Sequence, residues 1–276
     1  MQKLSLVDET FDFNLTTEYN LSILVSLDGF SFSILDSIQN KVVCLYHQDI
    51  FTNEPDFHLK KIKSGFEEVN LLDLPYKKVR IYYSAPGKTT IVPAAAFRPE
   101  LAADFYRLTF ETDRNSSLMH RYIPSLDICA LYEINHSLCS FLKEKYPEIE
   151  IQHDLILSGY DLQQGKPLLK IKILRKQLEI IASTGKGISF YNSFYYEGEN
   201  DMLYYILGTV KQINEQPDKV ILDGMVNKHA DIYHRLRQYF EQVHVADNNR
   251  NIHYSYLIER LPDARFTSFF NSFLCE

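Results

Sequence analysis

The feature that most constrains this chain is an order of elements that occurs twice. Strands are expected over 20–27, 30–36 and 41–47, where Leu21, Ile23, Val25 and Leu27 alternate with polar neighbours as a half-buried strand requires. Asp28-Gly29 supplies a two-residue hairpin turn, because glycine accepts positive φ. Pro55 opens a helix with Leu59, Ile62 and Phe66 on one face. The segment 76–124 reads as an insertion with strands over 78–84 and 89–92 and a helix after Pro99. The order resumes with a strand over 127–134, a helix capped by Asn135, and a strand over 148–152.

The second half repeats it. Strands over 168–174, 177–183 and 187–195 precede a helix from about Asn200, then a strand over 219–222, a helix around Ile232 and Leu236, and a strand over 243–246. Three strands, a helix, a strand, a helix and a strand thus occur on both sides of 154–166. The implied fold class is α/β, with two tandem ribonuclease-H-like lobes built of mixed sheets flanked by helices. The first lobe spans 1–158, with its insertion at about 76–124, and the second spans 159–276.

This order resembles that of the actin-like ATPase superfamily, and more narrowly a bacterial family with an actin-like fold and no assigned function. Two fragments carry the resemblance. Val25-Ser26-Leu27-Asp28-Gly29-Phe30-Ser31 lies at the first hairpin, where active relatives hold Mg²⁺ with an aspartate and phosphate with backbone N–H groups. Here Asp28 and Gly29 are adjacent, whereas active relatives place them one residue apart. Aligning the glycine on Asp28 puts Ser26 at the aspartate position. Val220-Ile221-Leu222-Asp223-Gly224-Met225 lies where relatives bring a Gly-Gly pair against adenosine, and Asp223 replaces the first glycine. At the second hairpin, where relatives carry another Asp-Gly turn, this chain has Ile173-Leu174-Arg175-Lys176. That segment has no carboxylate to orient water.

The resemblance therefore implies a degenerate, non-hydrolysing scaffold or protein-binding module with no catalytic residue and no resident cofactor. Ser26, Asp28, Gly29, Asp223 and Gly224 are the candidate cleft positions. The alternative is a nucleotide-binding switch or kinase-like ATPase, which would hold Mg-ATP with Asp28 and Asp223 facing each other. A ribonuclease-H-like nuclease would instead need Asp28, Asp36, Asp223 and Asp247 around two metal ions.

Other local patterns carry less. Gly87-Lys88-Thr89 mimics a P-loop end, but Tyr82 stands where the first glycine belongs and the run stays extended. Gly185-Lys186-Gly187 reads as a hairpin turn. His229 and His234 are five apart, off the four-residue spacing of a helical metal pair. Cys44, Cys129, Cys139 and Cys275 form no CxxC pair and read as free thiols in a reducing compartment, without zinc. The formal net charge of -7 speaks against a nucleic-acid partner. Met1–Asn20 has no long apolar run, so neither a signal peptide nor a membrane span is expected, and the location is read as cytoplasmic. The stripe Phe266, Phe269, Phe270, Phe273 and Leu274 has helical spacing and is expected to pack on the second lobe's sheet, a docking face for a protein partner being the alternative.

Overall fold

The computed structural model describes residues 3–26, 28–52, 54–162, 167–184, 187–213 and 215–274. Leu27, the Gly185-Lys186 pair and Cys275 lie outside the described residues. In chain order the elements are β1 (Lys3–Val7), β2 (Tyr19–Ser26), β3 (Gly29–Asp36), β4 (Lys41–Asp49), α1 (Pro55–Glu67), β5 (Lys78–Ser84), β6 (Thr89–Pro93), α2 (Ala102–Arg107), β7 (Ser116–Ile123), β8 (Ile128–Asn135), α3 (His136–Lys145), β9 (Ile151–His153) and α4 (Leu155–Leu162). They continue with β10 (Leu168–Ile173), β11 (Gln177–Thr184), β12 (Gly187–Tyr195), α5 (Glu199–Ile213), β13 (Lys219–Gly224), α6 (Asp231–Leu236), β14 (Val243–Val245), β15 (His253–Tyr254), α7 (Tyr256–Glu259) and α8 (Thr267–Phe270).

The duplication is visible in the strand orders. The first sheet contains β4-β3-β2-β5-β9 and the second is β12-β11-β10-β13-β14. In each, three consecutive strands pair antiparallel, and the first of them also pairs parallel with a later strand. Parallel pairing needs a crossover, which α1 and α5 provide.

Alternation decides which face each helix covers. Leu21, Ile23 and Val25 of β2, with Phe30, Phe32 and Ile34 of β3, meet Ile62 and Phe66 of α1 and Leu138 and Leu142 of α3. In the second sheet, Leu169, Ile171 and Ile173 meet Leu203 and Ile206 of α5 and Ile232 and Leu236 of α6. Burying each such side chain contributes about 1.5–3 kcal/mol. The opposite faces, set off by the same period of two, mix apolar residues such as Leu35, Leu45, Ile181 and Ile221 with polar ones. They carry Ser22, Ser31, Ser33 and His47 on one sheet, and Lys170 and Lys172 on β10. These faces are turned toward the middle of the molecule.

The strand over 78–84 is not part of an insertion. It is β5, the parallel neighbour of β2, and Val79, Ile81 and Tyr83 feed the first core. The strand over 127–134 is β8, the centre of a separate three-stranded sheet, β6-β8-β7. β8 reads as apolar throughout because both its faces are covered. Cys129 and Leu131 meet Tyr106 of α2, while Ile128 and Ala130 meet Leu168, Ile181 and Ile221 of the second sheet.

The C-terminal stripe also departs from expectation. Only Thr267–Phe270 is α-helical, followed by a 3-10 turn at Asn271–Phe273. It packs between the two sheets instead of on the second one. Phe266 and Phe270 meet Leu35 and Leu45 of the first sheet, and Phe269 meets Tyr82 and Leu157. Two strands unmarked in the sequence, β1 and β15, both join β4.

Candidate functional site

The two inner hairpins meet across a cleft of about 300 Å³. The first sheet contributes Ser26, Asp28, Ser31, His47 and Asp49, and the second contributes Lys172, Leu174, Arg175, Gly224 and Met225. The C-terminal segment closes it with Arg265 and Phe266.

Both glycines of the Asp-Gly pairs answer to backbone packing. Gly29 has φ +142°, and a Cβ there would lie 2.0 Å from the Gln48 carbonyl oxygen. Gly224 has φ +86°, and a Cβ would lie 2.2 Å from the Ile173 carbonyl oxygen. Any side chain would push apart neighbouring strands, so glycine is required with or without a ligand. Gly29 does not line the cleft, whereas Gly224 does. The Ser26 hydroxyl donates to the Gly29 carbonyl at 3.3 Å, and its own carbonyl accepts from His58 Nε2 at 2.9 Å.

The two aspartates part ways. Asp28 faces the cleft, and burial raises its pKa, with Asp49 adding to the rise and Arg175 opposing it. Asp223 is 1% exposed. Its Oδ2 accepts from Ser268 Oγ at 2.5 Å and its Oδ1 from the Gly224 N–H at 2.9 Å. Lys170 Nζ stands 3.4 Å from Asp223 and donates to Asp161 at 2.5 Å and Ser268 at 2.6 Å. Asp223 is thus committed to a buried network joining β10, β13, α4 and α8, and does not face Asp28. The carboxylates of the nuclease alternative are not brought together either. Asp36 accepts from the backbone of Ile38 and Gln39 in its own turn, and Asp247 lines a different cavity.

Arg175 lies 3.4 Å from the Phe51 ring centroid, placing a cation–π contact across the cleft mouth. Lys172 donates to Asp154 at 2.7 Å and lies 3.6 Å from Glu179. Burial disfavours the Lys172 ammonium, but Asp154 and Glu179 outweigh it and raise its pKa. Asp154 is held low despite burial, chiefly by Lys172, while burial dominates at Glu179 and raises its pKa. Tyr191 donates to Glu179 at 2.8 Å.

His47 was missed in the sequence, although its signal was present. Ser31 pairs with His47 across β3 and β4, and Asp49 follows on the same face. His47 lies 2.8 Å from Ser31 Oγ through Nδ1 and 3.0 Å from Asp49 through Nε2. Burial lowers its pKa against the pull of Asp49. Arg265 and Phe266 had no comparable signal, because their approach depends on a turn far along the chain.

A second cavity, of about 340 Å³, adjoins the first. Ala264 lines the second cavity, Arg265 the first and Phe266 both, so this short segment is the wall between them. The wall is fixed by an antiparallel bridge between Gly224 and Ala264 and by the Ala264 N–H donating to the Val226 carbonyl at 3.1 Å.

Paired sheets of this order, with helices outside and a cleft between inner hairpins, define an actin-like ATPase fold. The solved structures agree. A Bacteroides thetaiotaomicron VPI-5482 protein with actin-like ATPase fold and unknown function superposes with TM-score 0.76 at 23% identity, over 86% of this chain and 93% of that one. The PilM-PilN type IV pilus biogenesis complex gives TM-score 0.56 at 10% identity, over 92% and 97%. The chain belongs to the protein family of unknown function DUF3822, whose model matches residues 8–243. No curated protein matches the sequence.

Proposed function

We propose that this protein is a non-hydrolysing member of the actin-like fold that acts by binding, with a protein as its partner. The observation that carries this reading is the wall formed by Ala264–Phe266. A nucleotide in such a fold lies along the cleft with phosphates at the hairpins and its base beyond. Here that path is divided into two spaces near the lower end of the roughly 300–1,000 Å³ found for small-molecule sites. Mg-ATP also lacks its second carboxylate, since Asp223 is engaged by Ser268 and Arg175 occupies the second hairpin.

Occurrence of the fold in the PilM-PilN complex supports a protein-binding role. Among the described residues no helix is long and apolar enough to cross a membrane, and Cys44, Cys129 and Cys139 are free thiols. A reducing, cytoplasmic setting fits these features.

The test is phosphate release from Mg-ATP by purified protein, beside thermal unfolding with Mg-ATP and Mg-ADP. The expected outcome is no release above background and no shift. Bound nucleotide at about 100 times its dissociation constant would stabilise the fold by about 2.7 kcal/mol. Hydrolysis abolished by Asp28→Ala would overturn the reading.

A further inference from the structure

Three charged side chains at the cleft have unanswered hydrogen-bonding capacity. Among the described residues, the Asp28 carboxylate accepts no hydrogen bond, although it lies in the cleft wall beside Asp49 and within the field of Arg175. Among the described residues, the Arg265 Nε–H is buried without a partner and the guanidinium reaches only Asp263, at 3.6 Å through Nη2. The Arg175 guanidinium lies over the Phe51 ring and donates no hydrogen bond among the described residues. Leaving a buried charged group unpaired is costly, so Asp28 and the Arg265 Nε–H point to a complement that arrives from outside, which the exposed Arg175 at the cleft mouth is placed to join.

The three groups share one volume. All three line the same cleft; Asp28 acts electrostatically on His47 and is itself acted on by Arg175, and Arg265 also acts on His47. His47 is pinned between Ser31 and Asp49, so that wall is preorganised. Lys172 faces the cleft but is already paired with Asp154 and Glu179. The apolar part of the lining includes Leu24, Phe51, Ile173, Leu174 and Met225, beside the hydroxyls of Ser26, Ser31 and Ser84.

We propose that the cleft binds a free apolar α-amino acid as its zwitterion. The ammonium donates to Asp28, the carboxylate accepts from Arg175 and Arg265, and the side chain lies against Phe51, Leu174 and Met225. Both charges of the ligand are then answered inside a space suited to a molecule smaller than a nucleotide. A polyphosphate would instead be set beside two carboxylates, Asp28 and Asp49, which repel it. The proposal goes beyond the binding-module reading, because it names what the cleft itself holds and does not depend on the protein partner.

The experiment is thermal unfolding of the full chain with each of the twenty free amino acids at millimolar concentration. Leucinamide and N-acetylleucine serve as probes lacking one charge each, with Mg-ATP alongside. Leucine, phenylalanine or a similar apolar amino acid is expected to raise the midpoint by several degrees, while both single-charge probes leave it unchanged. Asp28→Asn and, separately, Arg175→Gln are expected to abolish the response. Arg175 is exposed, so its variant keeps the test valid if Asp28→Asn fails to fold. No shift with any amino acid, or equal shifts with leucinamide and N-acetylleucine, overturns the zwitterion site and leaves the binding-module reading standing. A shift with Mg-ATP alone overturns both.

Discussion

Acidifying the protein should destabilise it through His153, and the effect can be sized. His153 is 1% exposed. Its Nδ1 accepts the Leu155 N–H at 3.0 Å, so its one proton is on Nε2 and donates to Thr89 Oγ1 at 2.9 Å; that hydroxyl donates onward to the Ala85 carbonyl. The ring is therefore neutral, and its 3.4 Å approach to Asp154 is not an ion pair. Burial depresses its pKa from 6.5 to about 4, with Asp154 opposing and Lys172 assisting. The unfolded chain therefore binds more protons than the folded one between these values, so stability is lost as pH falls through that window. From about pH 7 to about pH 5 the loss due to this residue is about 2 kcal/mol. The assay is urea unfolding followed by far-UV circular dichroism across that range, for the wild type and His153→Asn. Asparagine does not titrate, and its Oδ1 can still accept from Leu155. His47 also has a lowered pKa, so a smaller slope remains in the variant. If both proteins lose equal stability with falling pH, the neutral buried ring is refuted.

Further substitutions probe the junction between the sheets. Lys170→Met strips a fully buried ammonium from Asp161, Asp223 and Ser268, and should cost about 3–5 kcal/mol in chemical unfolding. Adding Asp223→Asn should recover part of that loss, and strict additivity would refute the coupling. Gly224→Ala places a Cβ against the Ile173 carbonyl at positive φ and should destabilise by at least about 1–3 kcal/mol. Gly208→Ala, in α5 with open space around it, should stabilise by roughly 0.5–1 kcal/mol. Reversal of that order by thermal unfolding would refute the close-approach argument.

Some of this molecule was legible in the sequence because it depends on local periodicity. Alternation in β2 and β3, the Asp28-Gly29 turn, the Asn135 cap and the apolar face of α5 are properties of neighbours in the chain. Asn135 does accept from the Ser137 and Leu138 N–H groups. The roles of β5 and β8 were not legible, since both are apolar enough to be central strands. Only the partners of each strand decide which sheet it joins. Asp28 and Asp223 likewise look equivalent as Asp-Gly pairs, yet one faces a cleft and the other accepts from Ser268, 45 residues further along the chain.

The sequence by itself determined the duplicated α/β order, the positions of the inner hairpins and the absence of a carboxylate from residues 173–176 of the second one. All of these follow from residue type and spacing. Tertiary structure alone decided that Phe266–Phe270 packs between the sheets, that Ala264–Phe266 divides the cleft, and that Arg175 reaches Phe51. These contacts join segments far apart in sequence. Their placement follows from burying the apolar stripe against the inner face of the first sheet while pairing Lys170 and Lys172 with carboxylates, and no local pattern encodes that combination.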